Sequence, residues 1–172
     1  YALSDCAILY RNNAQSRVLE EALLQEAIPY RIYGGQRFFE RQEIKDALAY
    51  LRMINHPLDD AAFERVVNTP TRGMGDKTLS QIREVARETE QSMWQTSVMM
   101  LQEKRLKGRA GNALQGFVDL IMNMSNDIKP LPLEQQTDHV IKASGLVAMY
   151  QAEKGEKAKA RVENLEELVT AC

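Results

Sequence analysis

The spacing of apolar residues in this chain changes once, at Gly34-Gly35, and that change sets what the chain can fold into. Before it, Cys6 to Tyr10 is a short apolar run bounded by polar residues, and Tyr30 to Tyr33 is a second. Runs of that length read as buried strands. Between them, Arg11-Asn12-Asn13 turns the chain into a helix with Val18, Leu19, Ala22 and Leu23 on one side, stopping before Pro29. Strand, helix and strand in so short a span predict a right-handed crossover unit, which cannot cover both faces of its own sheet. The unit is therefore expected to belong to a larger α/β domain.

After Gly35 everything periodic has the helical period. Ile44, Ala47, Leu48, Leu51 and Ile54 mark one face of a helix ending near His56-Pro57, and Asp59 or Asp60 caps the next, which holds Phe63, Val66 and Val67. Further helices are expected around Leu79 to Arg87, Met93 to Leu106, Ala113 to Met124, Leu133 to Ala143 and Val162 to Ala171, with Pro130 and Pro132 breaking the run before Leu133. The predicted fold class is mainly α: an all-α body over residues 35–172, with roughly six to eight short helices on ordinary length priors, preceded by a small β-α-β piece over 1–34. The last helix runs into Cys172 without cap or glycine. Together with the orphan crossover unit, this predicts that both ends are cuts within a longer protein.

Of the 172 residues, 44% are hydrophobic and 27% charged, as in ordinary soluble globular proteins. No stretch approaches a membrane span and the N-terminus lacks the features of a signal peptide, so the expected compartment is the cytoplasm, with no membrane partner. Cys6 and Cys172 stand at opposite ends, and His56 and His139 lack neighbours at ligand spacing. No metal site is assigned. A net charge of −2 excludes coating of nucleic acid by bulk charge and leaves local basic patches. These are Lys104, Arg105, Lys107 and Arg109; Lys154, Lys157, Lys159 and Arg161; and Arg72, Lys77, Arg83 and Arg87. Each also reads as a solvated helix face.

The stretch richest in chemistry is Asn68-Thr69-Pro70-Thr71-Arg72-Gly73-Met74-Gly75-Asp76-Lys77-Thr78. Two glycines around an apolar residue, opening into a helix, let the backbone take positive φ and bring several N–H groups to one point, which suits a phosphate. Met74 is expected to plug the space between flanking helices, and Asp76 or Thr78 to cap the helix that follows. The pattern looks like the hairpin of helix-hairpin-helix proteins, which hold a DNA backbone phosphate without reading sequence. A Gly-x-Gly turn also ends helices with no ligand at all, and the turn by itself leaves both readings open. A Walker-type ATP site is excluded here, because Asp76 separates Gly75 from Lys77-Thr78.

Several segments in order resemble one family: Ala7-Ile8-Leu9-Tyr10-Arg11-Asn12-Asn13-Ala14-Gln15-Ser16-Arg17, Pro29 to Gly35, Arg37-Phe38-Phe39-Glu40-Arg41-Gln42-Glu43-Ile44-Lys45-Asp46, Asn68 to Gly75, and Glu163-Asn164-Leu165-Glu166-Glu167-Leu168. Together they are similar to the UvrD/PcrA/Rep group of superfamily 1 DNA helicases. The resemblance implies four subdomains, 1A, 1B, 2A and 2B, with ATP between the RecA-like 1A and 2A and with 2B a helical insertion in 2A. On that map residues 1–34 are part of 2A and 35–172 most of 2B. The parent is then an ATP-dependent 3′ to 5′ DNA helicase of DNA repair and replication that uses ATP and magnesium. This piece, which has neither Walker motif, carries no cofactor and no catalytic residue of its own. Implied partners are duplex and single-stranded DNA, the remaining subdomains, and repair proteins. Met74 stands where the family commonly has isoleucine.

For duplex DNA the implied contacts are Arg72, Gly73, Met74, Gly75, Asp76, Lys77 and Thr78, with Arg37, Arg41 and Lys45, spaced four apart and expected on one face. Arg11, Asn13 and Arg17 are implied to face single-stranded DNA. The alternative for the latter is that Asn12 or Asn13 caps a helix and Arg17 pairs with Glu20 or Glu21. Phe38 and Phe39 read as core. A competing function class is a non-enzymatic docking or self-association module.

Overall fold

The computed structural model describes residues 2–33 and 35–172, with Asn13 described in its backbone only. The first part holds one α-helix, α1 (Ser16–Gln25), preceded by two short 3-10 turns at Leu3–Asp5 and Asn13–Gln15. A third 3-10 turn, Phe38–Glu40, leads into eight more helices: α2 (Gln42–Asn55), α3 (Asp60–Val66), α4 (Asp76–Thr89), α5 (Met93–Gln102), α6 (Gly108–Asp127), α7 (Leu133–Ala143), α8 (Leu146–Ala152) and α9 (Glu156–Thr170).

Local chemistry accounts for several boundaries. Asp59 accepts the Ala62 N–H at 3.0 Å and starts α3. Ser92 and Gln95 exchange hydrogen bonds of 3.2 Å across the first turn of α5, a capping box. Pro132 precedes α7, and Gly145, at φ +86°, separates α7 from the short α8. α2 is the hub of the body, packing on α3, α6, α7 and α9. Its buried Ile44, Tyr50 and Met53 join Phe63, Ile82, Met100, Leu114, Phe117, Ile121, Leu146 and Leu165 in one core. Phe117 of α6 stands edge-on to Phe63 at 5.6 Å and to Trp94 at 6.5 Å between ring centroids. Phe38 is fully buried, whereas Phe39, also expected in the core, is 47% exposed.

The β-α-β piece is a correction. No strand forms among the described residues: Cys6 to Tyr10 and Tyr30 to Tyr33 run alongside an open cleft of about 1000 Å³ with no ladder between them. A parallel pair is stable only when neighbouring strands take up its amides and both faces are covered. Here Leu9 is 94% exposed and no described residue pairs with its backbone. The face of α1 is corrected too. Its buried residues are Ser16 and Glu20, while Val18 is exposed and Leu19 and Leu23 line the cleft. The polar side of α1 is drawn to the helical body because Glu20 accepts the Phe38 N–H at 3.2 Å and the Tyr30 hydroxyl at 3.3 Å.

Candidate nucleic-acid interface

The connection from α3 to α4 contains the Gly73-Met74-Gly75 turn. Met74 is buried, as a plug should be, and Asn68 braces the turn by donating from Nδ2 to the Met74 carbonyl at 2.8 Å and accepting the Arg72 N–H at 2.8 Å. The N–H groups of Gly73, Met74, Gly75, Asp76 and Lys77 find no acceptor among the described residues, whereas that of Thr78 is taken by the Gly75 carbonyl at 2.9 Å. Gly75, Asp76 and Lys77 are exposed, so their free amides lie at the surface where α4 begins, while Gly73 is half-buried and Met74 buried. The positive end of the α4 dipole adds to them.

The two glycines differ. Gly73 has φ +83°, the left-handed region that favours glycine. Gly75 has φ −85° and ψ 163°, which any residue adopts, and a Cβ placed there would meet nothing within 4 Å. Positive φ was expected at both and is found at one. Gly75 itself, with no side-chain cap bond, stands at the start of α4 in place of the expected Asp76 or Thr78 cap.

Arg72 points inward. Its guanidinium donates to the carbonyls of Val66 (3.0 Å), Pro70 (3.1 Å) and Ser144 (3.3 Å) and to the Tyr50 hydroxyl (2.5 Å), and it lies over the Phe117 ring at 5.4 Å. Tyr50 in turn donates to the Thr69 carbonyl at 2.6 Å. Burial pushes the Tyr50 hydroxyl up to about 12 against the opposing pull of the Arg72 charge.

The cations expected on one face before and within α2 are separated. Arg41 is buried, donating to Asn164 Oδ1 at 2.9 Å and Ser16 Oγ at 2.8 Å. Burial pulls its guanidinium below the ordinary value, with Glu20 and Glu43 opposing. Arg37 is exposed and stacks over Tyr30 at 5.4 Å. Lys45 is exposed on α2 and its ammonium has no partner among the described residues. At the N-terminal segment, the Arg11 side chain is exposed while its N–H donates to Gln15. The side chain of Asn13 lies outside the described residues. Arg17 pairs with Glu21 at 2.6 Å and with Glu167 of α9 at 2.7 Å. Asn12 caps locally, accepting the Ala14 N–H at 3.0 Å, and donates to Glu163.

The sequence profile of the UvrD-like helicase C-terminal domain matches residues 1–172. This chain belongs to that family. DNA helicase II of Escherichia coli (strain K12) is 64% identical over 170 residues, covering 99% of this chain and 24% of that protein. DNA helicase II of Haemophilus influenzae is 63% identical over 169 residues, and the ATP-dependent DNA helicase PcrA of Bacillus subtilis (strain 168) 40% identical over 168, each covering 98% of this chain and 23% of the relative. The chain thus spans about a quarter of the length of the curated relatives it matches.

Within this UvrD-like domain the structure also brings to the turn a residue from far along the chain. Arg109, in the first turn of α6, lies against Gly73: a Cβ on that glycine would sit 3.0 Å from the arginine Nε and 3.1 Å from Nη2. The sequence marked Arg109 as one of a basic patch and gave no sign of its neighbour. Asn68 was legible only as part of the turn. No helix among the described residues is long and apolar enough to cross a membrane.

Proposed function

We propose that this chain is a DNA-gripping part of an ATP-driven 3′ to 5′ DNA helicase of repair and replication, in which residues 35–172 form most of a 2B subdomain and residues 1–34 part of a RecA-like 2A. The printed names of the relatives, DNA helicase II and ATP-dependent DNA helicase PcrA, support the class of enzyme. ATP and magnesium act in the remaining subdomains, with which the apolar cleft beside Ile8, Leu19 and Ile32 packs. Repair proteins are further partners, and the compartment is the cytoplasm.

The observation that carries duplex binding is the row of free amides from Gly73 to Lys77 beside a Gly75 that has no conformational reason to be glycine. An absent Cβ is useful there for a ligand that must come close to the backbone. A phosphate meets that description, and such contacts grip a duplex of any sequence. Lys77 and Lys45 add charge from exposed positions, and Gly73, Met74, Asp76 and Thr78 shape the seat. Arg72 contributes by holding the turn from within. Arg37 and Arg11 remain available to DNA at the surface, Arg11 with Asn13 toward a single strand. Arg17 and Arg41 serve chiefly to join α1 to α9.

The test is Gly75→Val. Valine fits the observed backbone and open space, so the variant folds, losing about 1 kcal/mol or less as a poorer helix cap. Its duplex affinity is expected to fall at least tenfold at low salt, while single-strand-stimulated ATPase in the longer enzyme stays intact. An unchanged duplex affinity in a filter-binding series removes the assignment.

A further inference from the structure

We propose that Arg109 is the cation that completes the phosphate seat, so that a DNA strand is held between the amides of the Gly73–Lys77 turn and a guanidinium delivered by α6. The inference rests on the duplex-binding reading above and adds to it a contact from another element.

Three cations stand near the turn in sequence or in space, and they have different fates. Arg72 is spent on carbonyls and the Tyr50 hydroxyl. Lys77 is exposed and unpaired among the described residues, a hydrated point charge on a flexible stem. Arg109 is exposed and makes no hydrogen bond or ion pair with any described residue, yet its guanidinium lies against the Gly73 backbone. A Cβ on Gly73 would press on the guanidinium and shift it by a few tenths of an ångström, so the glycine that supplies the positive φ of the turn also allows this close approach. Glu103, the acid nearest in sequence, is taken by Arg105 at 2.6 Å.

Arg109 sits at the positive end of the α6 dipole, whose first turn contains no acidic residue, and its guanidinium lies against Gly73, just before α4 begins. A free planar fork thus stands beside a turn with unpaired amides, and among the described residues only Asp76 brings an acidic side chain into the first turn of α4 or α6. A phosphate can engage amides and fork together, since the fork geometry of guanidinium matches two phosphate oxygens.

The experiment titrates this chain with a fluorescent hairpin duplex over a salt series. Arg109→Gln is expected to weaken binding roughly five- to tenfold at low salt, equally for unrelated sequences, and to reduce the slope of log Kd against log salt by about one phosphate contact. Arg109→Lys keeps the slope and loses part of the affinity. Lys129→Gln, an equal change of charge just beyond the far end of α6, leaves both unchanged. The proposal is overturned if Arg109→Gln matches the unaltered chain in affinity and slope, or if Lys129→Gln falls as far. If the unaltered chain shows no salt-sensitive duplex binding at all, the duplex reading itself fails and takes this inference with it, an outcome distinct from the silent variant.

Discussion

Arg72 and Arg109 flank one glycine and do opposite work. Arg72 ties the end of α3, the Tyr50 side chain of α2 and the Ser144 carbonyl beyond α7 to the approach of the turn. Removing it leaves buried acceptors without a charged donor, so Arg72→Ala is expected to cost about 3 kcal/mol of stability in urea denaturation. The salt slope of the DNA binding that remains is expected to match that of the unaltered chain, because the guanidinium is engaged inside the fold. Sequence reasoning named both arginines as basic and could not tell them apart, since charge is legible in a sequence and direction is not. It had Met74 as a plug because an apolar residue between two glycines has few other uses. It expected positive φ at both glycines because nothing local distinguishes them.

At the scale of elements, α6 offers a reversal of sign within one helix. Gly116 is exposed, and an added Cβ meets nothing within 4 Å, so Gly116→Ala is expected to stabilise by about 0.5–1 kcal/mol through helix propensity. At Gly111 the added Cβ would lie 2.7 Å from the Leu106 carbonyl oxygen, so alanine there must push the backbone that leads into α6. Gly111→Ala is expected to destabilise by at least about 1 kcal/mol despite the same propensity gain. Thermal melting of the two variants checks both signs. The period of apolar residues made α2 to α7 and α9 legible, although α5 stops at Gln102 short of the expected Leu106, and α6 and α9 begin at Gly108 and Glu156, well before the expected Ala113 and Val162. It missed α8, because seven residues hold too few repeats to show a face. It misplaced the buried side of α1, whose Leu19 and Leu23 face the cleft, and it named two strands whose pairing depends on neighbours that no local pattern supplies.

Across the whole molecule, the N-terminal segment is joined to the helical body by polar groups. Arg41 bridges Ser16 and Asn164, Asn164 donates to Glu43 at 2.7 Å, Arg17 reaches Glu167, and Asn12 reaches Glu163. Deleting the central member leaves several buried polar atoms unpaired, and Arg41→Ala is expected to cost about 2–4 kcal/mol. Hydrogen exchange should rise through α1 before it rises in α2 or α6. None of this seam was legible beforehand, because nearly all of its partners lie more than a hundred positions apart, Ser16 and Arg41 excepted, and polar residues carry no periodic signal. A joint built this way has a distinctive thermal signature. The heat-capacity increment of opening a contact comes mainly from apolar surface, with polar surface contributing in the opposite sense. Parting these side chains should therefore carry a small or negative increment, so the hold of the N-terminal segment on α9 changes along a nearly straight line on warming while the cohesion of the core follows a curved course.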